Sequence, residues 1–213
     1  VWTGTIDSLC QQLLRDYRAP GTQPPVLADE FVARTLLLRD GMFAGRHHGD
    51  ADLDALLYAL YGGTYGYHLG QKLNLVQALW GRLFNDLVDW NHFVTHSPAD
   101  QRKGRQVLGE LVSGYQRSLQ ERGMVDFALL EFEVLQRLRN NQLDEFRKGV
   151  RAVLVDEYQD TNLLQEQIYF ELAKGCNGAL CVVGDDDQSL YRFRGATVDL
   201  FRDFEARYRK SFR

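Results

Sequence analysis

The sequence predicts an α/β fold that is predominantly helical, and three observations carry that reading. Val150 to Val155 and Leu180 to Val183 are short, compact apolar runs, and Leu163 to Ala173 between them has the pattern of a helix. Two strands joined by one helix form a βαβ unit, and parallel strands require such a crossover. From Leu27 to about Lys148 the apolar residues recur at three- and four-residue spacing without strand alternation, which predicts an all-helical region. Ala19-Pro20-Gly21-Thr22-Gln23-Pro24-Pro25, with three of the four prolines, breaks the chain ahead of that region.

Taken in order, Val1 to Thr5 is β-prone and short, and Asp7 or Ser8 is expected to cap a helix through Leu9, Leu13 and Leu14. Phe31, Leu36 to Leu38, Leu53, Leu56, Leu57 and Leu60 follow helical spacing up to a break at Gly62 to Tyr67. Leu73 to Phe93 is the longest periodic run. It sets Leu75, Leu79, Leu83, Phe84, Leu87 and Val88 on one face and includes Trp80 and Trp90 as core or subdomain contacts. A further helix spans Arg102 to Glu121 and stops at Gly123, and Asp126 precedes another through Phe127, Leu130, Val134 and Leu138. Gly175 to Gly178 is a turn between the helix and the second strand. A lone βαβ unit cannot make a stable sheet. Either Val1 to Thr5 adds a third strand, or the rest of the sheet lies outside these residues.

The 213 residues fit one large domain or two small ones. A 45% apolar content with a mean hydropathy of -0.35 describes an ordinary globular chain. The absence of any run of eighteen apolar residues predicts no membrane span. The first residues lack a basic, then apolar, leader pattern and an initiating Met, as expected of a piece of a longer protein or a processed one. Three scattered cysteines without a C-x-x-C pair point to a reduced, cytoplasmic setting, with Cys10 and Cys181 as buried small hydrophobes. The net charge of -4 excludes a uniformly basic nucleic-acid binder, yet Arg192 to Arg213 holds seven Lys/Arg against three Asp/Glu. His92 and His96 stand four apart on a helix without enough neighbouring ligands for zinc, and His47-His48 sits in a polar turn read as solvated. No Ser/His/Asp triad or activated Cys pattern occurs.

The chemistry concentrates at the two strand ends. Val153-Leu154-Val155 runs into Asp156-Glu157-Tyr158-Gln159-Asp160-Thr161-Asn162, and Val182-Val183 runs into Gly184-Asp185-Asp186-Asp187-Gln188-Ser189. Carboxylates at the C-terminal end of a parallel strand lie where α/β sheets bind ligands. A first acid, Asp156, suits magnesium, which takes one or two carboxylates plus phosphate oxygens and water. A second, Glu157, suits orienting and deprotonating an attacking water. So many acids at adjacent strand ends repel one another without a cation or ordered donors, which favours a metal-nucleotide site over a plain loop. The phosphate-cradling pattern G-x-x-x-x-G-K-[ST] is absent. Tyr191-Arg192-Phe193-Arg194 interleaves aromatics with arginines, a pattern suited to stacking on bases and holding phosphates of a single strand.

These residues resemble the UvrD/Rep/PcrA-type superfamily 1 DNA helicases. Asp156 to Asn162 is similar to their motif II, Gly184 to Ala196 to motif III, and Val1-Trp2-Thr3-Gly4-Thr5-Ile6-Asp7-Ser8-Leu9-Cys10 to segment Ib. The resemblance covers the whole chain. It implies a partial RecA-like P-loop NTPase core: residues 1–17 and 149–213 belong to the first motor domain, and residues 18–148 form an inserted all-helical subdomain. It implies ATP and Mg2+ as cofactors, with Asp156 on the metal, Glu157 as catalytic base and Gln188 as sensor of the γ-phosphate. Gln159 and Asp185 fall in the polar network beside the nucleotide. Tyr191, Phe193 and Arg194 would contact single-stranded DNA, with Thr5 and Ser8 near its backbone. Single-stranded DNA, junctions with duplex, and repair or replication proteins are the implied partners, and the implied movement is 3′ to 5′.

The sequence departs from the family pattern at three places. Phe193 stands where members carry Trp, which keeps a stacking face but loses area and the indole N–H. Ile6-Asp7 replaces Phe-His, which sets an acid near a DNA phosphate. Ala128-Leu129-Leu130 replaces part of an Asp-Phe-x-Asp-Leu pattern after Asp126. Without the Lys loop, and without a second motor domain carrying arginine fingers, these 213 residues alone are expected to lack ATPase and unwinding activity. Two other readings stand beside the motor: a non-catalytic DNA- or protein-binding relic of the helicase fold, and a helicase joined to a nuclease. Retention of Asp156, Glu157 and Gln188 together argues against the relic.

Overall fold

The computed structural model describes residues 1–62, 68–185 and 198–212, with the backbone alone at 198 and 199. The chain divides into two compact units. One comprises Val1–Pro24, Phe84–Leu87 and Ala128–Arg213, and the other Pro25–Leu83 and Val88–Phe127. The described residues are mostly helical, with two short parallel strand pairs. None of their helices is long and apolar enough to cross a membrane.

In the unit built from Pro25–Leu83 and Val88–Phe127, strand β1 (Val26–Leu27) lies parallel to β2 (Met124–Val125). Val26 N–H donates to Gly123 O at 2.9 Å and Ala28 N–H to Val125 O at 2.8 Å, so the first and last residues of this unit are tied together. Gly123 adopts φ +62°, a left-handed turn that glycine takes without strain, and redirects the chain into β2. This ladder corrects the all-helical reading of the middle region. Strands of two residues are too short to alternate visibly.

Between the strands lie α2 (Glu30–Leu36), α3 (Ala51–Tyr61), α4 (Leu69–Asn85), α5 (Trp90–Thr95) and α6 (Arg102–Glu121). Asp29, Asp50 and Asp89 cap α2, α3 and α5, each accepting from a first-turn N–H. The α2 helix continues as a π-helical segment, Leu37–Phe43, that packs on α6. Met42, Leu53, Leu57, Val76, Leu108 and Leu111 are buried in its core. Gly104 lets α3 and α6 nearly touch: a Cβ there would sit 2.4 Å from Asp52 O.

The long periodic run breaks where the sequence predicted continuity. Leu87 turns left-handed at φ +50°, and Asp89 caps a new helix at Trp90. The buried face of α4 is Leu73, Val76, Leu79, Trp80 and Leu83, while Leu75 is only half-buried. Asp126 Oδ2 accepts from both Trp80 Nε1 and Tyr115 Oη at 2.8 Å, with the two rings edge to face. Lys72 is 2% exposed, its ammonium 2.5 Å from Asp54 Oδ1 and bonded to His48 O. His47 is buried in a short turn, contrary to the solvated reading, and the His92 and His96 rings stack on each other.

In the other unit, Thr5, rather than Asp7 or Ser8, caps α1 (Ile6–Asp16): its Oγ1 accepts from Ser8 N–H at 3.3 Å. Residues 1–5 form no strand, so the option of a third strand there is not realised. Leu9, Cys10, Leu13 and Leu14 form the buried face of α1. The α7 helix (Phe127–Arg139) buries Leu130, Val134 and Leu138, and α8 (Asp144–Gly149) follows. Strand β3 (Val153–Val155) lies parallel to β4 (Leu180–Val182), joined by α9 (Leu163–Ala173), and α10 (Val198–Arg202) and α11 (Phe204–Ser211) complete the unit.

Apolar parallel strands are ordinarily buried on both faces. Val155 is, but Leu154 is 77% exposed and Cys181, paired with it across the ladder, is exposed too. Successive side chains on a strand take opposite faces, and the described residues cover only one face of this two-stranded sheet. Cys181 is therefore not the buried hydrophobe the sequence suggested, whereas Cys10 is.

Candidate active site

The parallel ladder delivers its two polar runs side by side. Val183 N–H donates to Val155 O at 2.8 Å, and Tyr158 N–H donates back to Val183 O at 2.9 Å. The acid turn after β3 is thereby stitched to the chain leaving β4. Asp156 and Glu157 are exposed at that junction. Asp156 Oδ1 accepts the N–H of Glu157 at 2.9 Å. Glu157 sits at φ +52°, ψ +41°, uncommon for a residue that is neither Gly nor Asn, and starts a 3-10 turn over Tyr158–Asp160.

Gln159 joins the two runs. Its Nε2 donates to Glu157 Oε2 at 2.7 Å, and its Oε1 accepts the N–H of Asp185 at 3.0 Å. The residue is 2% exposed. Asp160 lies beside them with Oδ1 buried and without a hydrogen-bond partner, and burial, then the Glu157 carboxylate, push its carboxyl above the usual range.

The turn is held from beneath. Tyr158 is fully buried, donates its hydroxyl to Glu166 Oε1 at 2.5 Å, and packs edge to face on Phe204. Burial, then the Glu166 carboxylate, raise the phenol well above its ordinary value. Glu166, itself fully buried, is gripped by the Arg207 guanidinium through contacts of 2.7 to 3.1 Å. Asn162 and Gln165 form a capping box at the start of α9. Gln165 Nε2 donates onward at 2.7 Å to buried Glu131 Oε1 on α7.

The structure thus brings Asp156, Glu157, Gln159 and Asp185 together. Thr5 and Ser8 pair with each other through their hydroxyls at 2.9 Å on the exposed start of α1. Gln188, Tyr191, Phe193 and Arg194 lie outside the described residues. Tyr158, Glu166, Arg207 and Glu131 were not singled out from sequence. The Asn162–Gln165 spacing is a legible capping signal, but Glu166 and Arg207 stand 41 residues apart and nothing local links them.

Magnesium is the metal such donors suit. Asp156 is a hard oxygen donor, exposed at the end of a parallel strand, of the kind magnesium takes together with phosphate oxygens and water. Among the described residues no group of three or more His, Cys, Asp or Glu is placed to hold a metal alone, so phosphate oxygens and water would complete the shell.

One unit of the chain thus carries a βαβ element with acids at both strand ends, and the other is mostly helical. The family model of the UvrD/REP helicase N-terminal domain matches residues 1–209, and the chain belongs to that family. It is 31% identical over 217 residues to the ATP-dependent DNA helicase UvrD1 of Mycobacterium tuberculosis, covering 98% of this chain and 26% of that protein. It is 38% identical over 130 residues to DNA helicase II of Escherichia coli, covering 60% of this chain and 18% of that protein. It is 36% identical over 113 residues to an ATP-dependent helicase/nuclease subunit of Staphylococcus haemolyticus, covering 49% of this chain and 9% of that protein. The chain spans about a quarter of the length of the UvrD1 proteins it matches.

Proposed function

We propose that this chain is part of the first motor domain of an ATP-dependent DNA helicase that moves 3′ to 5′ along single-stranded DNA. Residues 1–17 and 149–213 belong to its RecA-like core, and residues 18–148 carry the inserted helical subdomain. The β1–β2 ladder supports an insertion, because an inserted unit must leave where it entered; the ladder ties residues 26 and 124, inside those bounds, and residues 128–148 cluster with β3 and β4. The observation that carries the function is Glu157: an exposed carboxylate at a strand end, beside Asp156, and tied through Gln159 to the chain leaving the neighbouring strand.

In this reading Asp156 would hold the magnesium of Mg-ATP, which neutralises charge on the β- and γ-phosphates when bound. Glu157 orients the attacking water and takes its proton. Gln159 and Asp185 complete the polar network next to the nucleotide. Gln188 reports the γ-phosphate to Tyr191, Phe193 and Arg194, which hold the strand, with Thr5 and Ser8 along its backbone. The isolated 213 residues turn over no ATP, because no G-x-x-x-x-G-K-[ST] loop stands in them to cradle the phosphates.

The test is ATP hydrolysis by the full-length protein, with and without single-stranded DNA, beside Glu157→Gln. DNA-stimulated turnover should fall by about 10²- to 10⁴-fold in the variant, the usual contribution of a general base. Absence of turnover in the folded, full-length protein would shift the reading to a DNA-binding relic. The likeness to helicase/nuclease proteins favours a second reading, a motor joined to a nuclease. Cleavage of DNA by the full-length protein decides that point.

A further inference from the structure

We propose that Gln159 is a positioning residue: one buried amide that both aims the Glu157 carboxylate and locks it to the chain leaving β4. This deepens the motor reading above and rests on it. Among the described residues, Gln159 Nε2 is the donor that reaches the Glu157 carboxylate. The opposite end of the same amide is used on the N–H of Asp185. With donor and acceptor both engaged and 2% of its surface exposed, Gln159 acts on the reaction through Glu157 and not by touching nucleotide.

The neighbours are built for this bridge. Gln159 follows Tyr158, which is anchored twice, by its N–H on Val183 O and by its hydroxyl on Glu166. Gly184 supplies the room: a Cβ there would lie 2.5 Å from Gln159 Oε1 and 3.0 Å from the Phe201 ring. Adding one methyl group at position 184 would therefore push the amide off its partners while leaving the glutamine in the sequence. Glu157 needs an aiming donor because it is exposed, left-handed in its backbone, next to Asp156 in the chain, and close enough to Asp160 to repel it. The bridge also gives the acid a direct mechanical link to residue 185, from which the chain continues to Gln188 and the Tyr191-Arg192-Phe193-Arg194 run.

The experiment is steady-state ATP hydrolysis by the full-length protein carrying Gln159→Leu or Gly184→Ala, each also combined with Glu157→Gln. Both single variants should lower kcat by about ten- to a hundredfold, the scale of a misplaced reacting group, with KM for ATP within about twofold of the parent. The rate with saturating single strand should fall more than the rate without it. In the Glu157→Gln background neither change should lower the residual rate further, because the group they position is gone. A packing role alone would not erase its effect in that background. Should Gln159→Leu fail to fold, Gly184→Ala decides, since it keeps the glutamine. A raised KM at unchanged kcat would place Gln159 on the nucleotide and overturn the proposal. So would single variants within twofold of the parent, provided Glu157→Gln abolishes turnover. No turnover by the unaltered protein would overturn the motor reading itself, and this inference with it.

Discussion

The two units use their buried polar groups to different ends. In the helical unit, polar contacts close on themselves: Trp80 and Tyr115 both donate to Asp126, and Lys72 meets Asp54 and the His48 carbonyl. Each such group helps fix one helix against another. In the strand-containing unit, buried Tyr158, Glu166 and Gln159, with half-buried Arg207, surround a turn whose adjoining acids, Asp156 and Glu157, are exposed. Buried networks rigidify whatever they enclose. What marks a site is a rigid network that ends in exposed acids of like charge. Changes in each unit test that contrast.

The largest effect is expected at Arg207→Ala. Glu166 has no exposed side-chain surface, and its ion pair with Arg207 is what offsets the cost of keeping a carboxylate inside. Removing the guanidinium should cost about 3–5 kcal/mol, the usual result of stranding a buried charge. The loss should be local. Amide hydrogen exchange should quicken in α9 and α11, which the pair holds together, and stay unchanged in α6. Equal acceleration in α6 would mean that the two networks are not independent, and the contrast between the units would fail.

Next comes Asp126→Ala. One carboxylate oxygen receives the Trp80 indole N–H and the Tyr115 hydroxyl, and the substitution leaves two buried donors without an acceptor. The expected cost is about 2–4 kcal/mol, read by urea denaturation. Asp126→Asn should lose much less, because a carboxamide oxygen still accepts from both. If Asn is as costly as Ala, the charge matters and not the acceptor geometry.

Some of this was legible in the sequence, and the limits have physical causes. Leu163–Ala173 and Arg102–Glu121 read out directly, because each couples a long apolar face to an end signal: the Asn162–Gln165 box before one, Gly123 after the other. The pause between Asn85 and Trp90 did not, because the apolar spacing continues straight through Leu87 while a local Asp89 cap restarts the helix. The two-residue strands β1 and β2 carry no periodicity at all. In the site, the acids and Gln159 stand in contiguous runs after apolar strands, so their neighbourhood follows from one parallel ladder. The supports do not. Glu166 and Arg207, or Glu131 and Gln165, meet only because distant helices pack, and spacing along the chain holds no trace of that. Cys181 misled for a related reason: an apolar strand of three residues does not reveal which face is covered.

A change with pH is expected at Glu131, which lies in the strand-containing unit and links α7 to the capping box of α9. The residue is 4% exposed, and burial pushes its carboxyl up to about 8 from an ordinary 4.5. The Gln165 donor works against that rise, and the nearby Asp7 carboxylate adds to it. Below pH 4.5 the folded and unfolded chains both hold the proton, so the group sets no pH dependence there. Between 4.5 and 8 the unfolded chain releases the proton and the folded chain keeps it, so stability falls as pH rises through this window and levels off above it. Glu131→Gln keeps an oxygen for Gln165 and removes the titration. Its melting temperature should match the parent near pH 4.5 and exceed it near pH 8.5. A gain of equal size at both pH values would mean that Glu131 is held ionised in the fold. The strand-containing unit would then carry a buried fixed charge at Glu131, as it does at Glu166, and only the exposure of Asp156 and Glu157 would still separate it from the helical one.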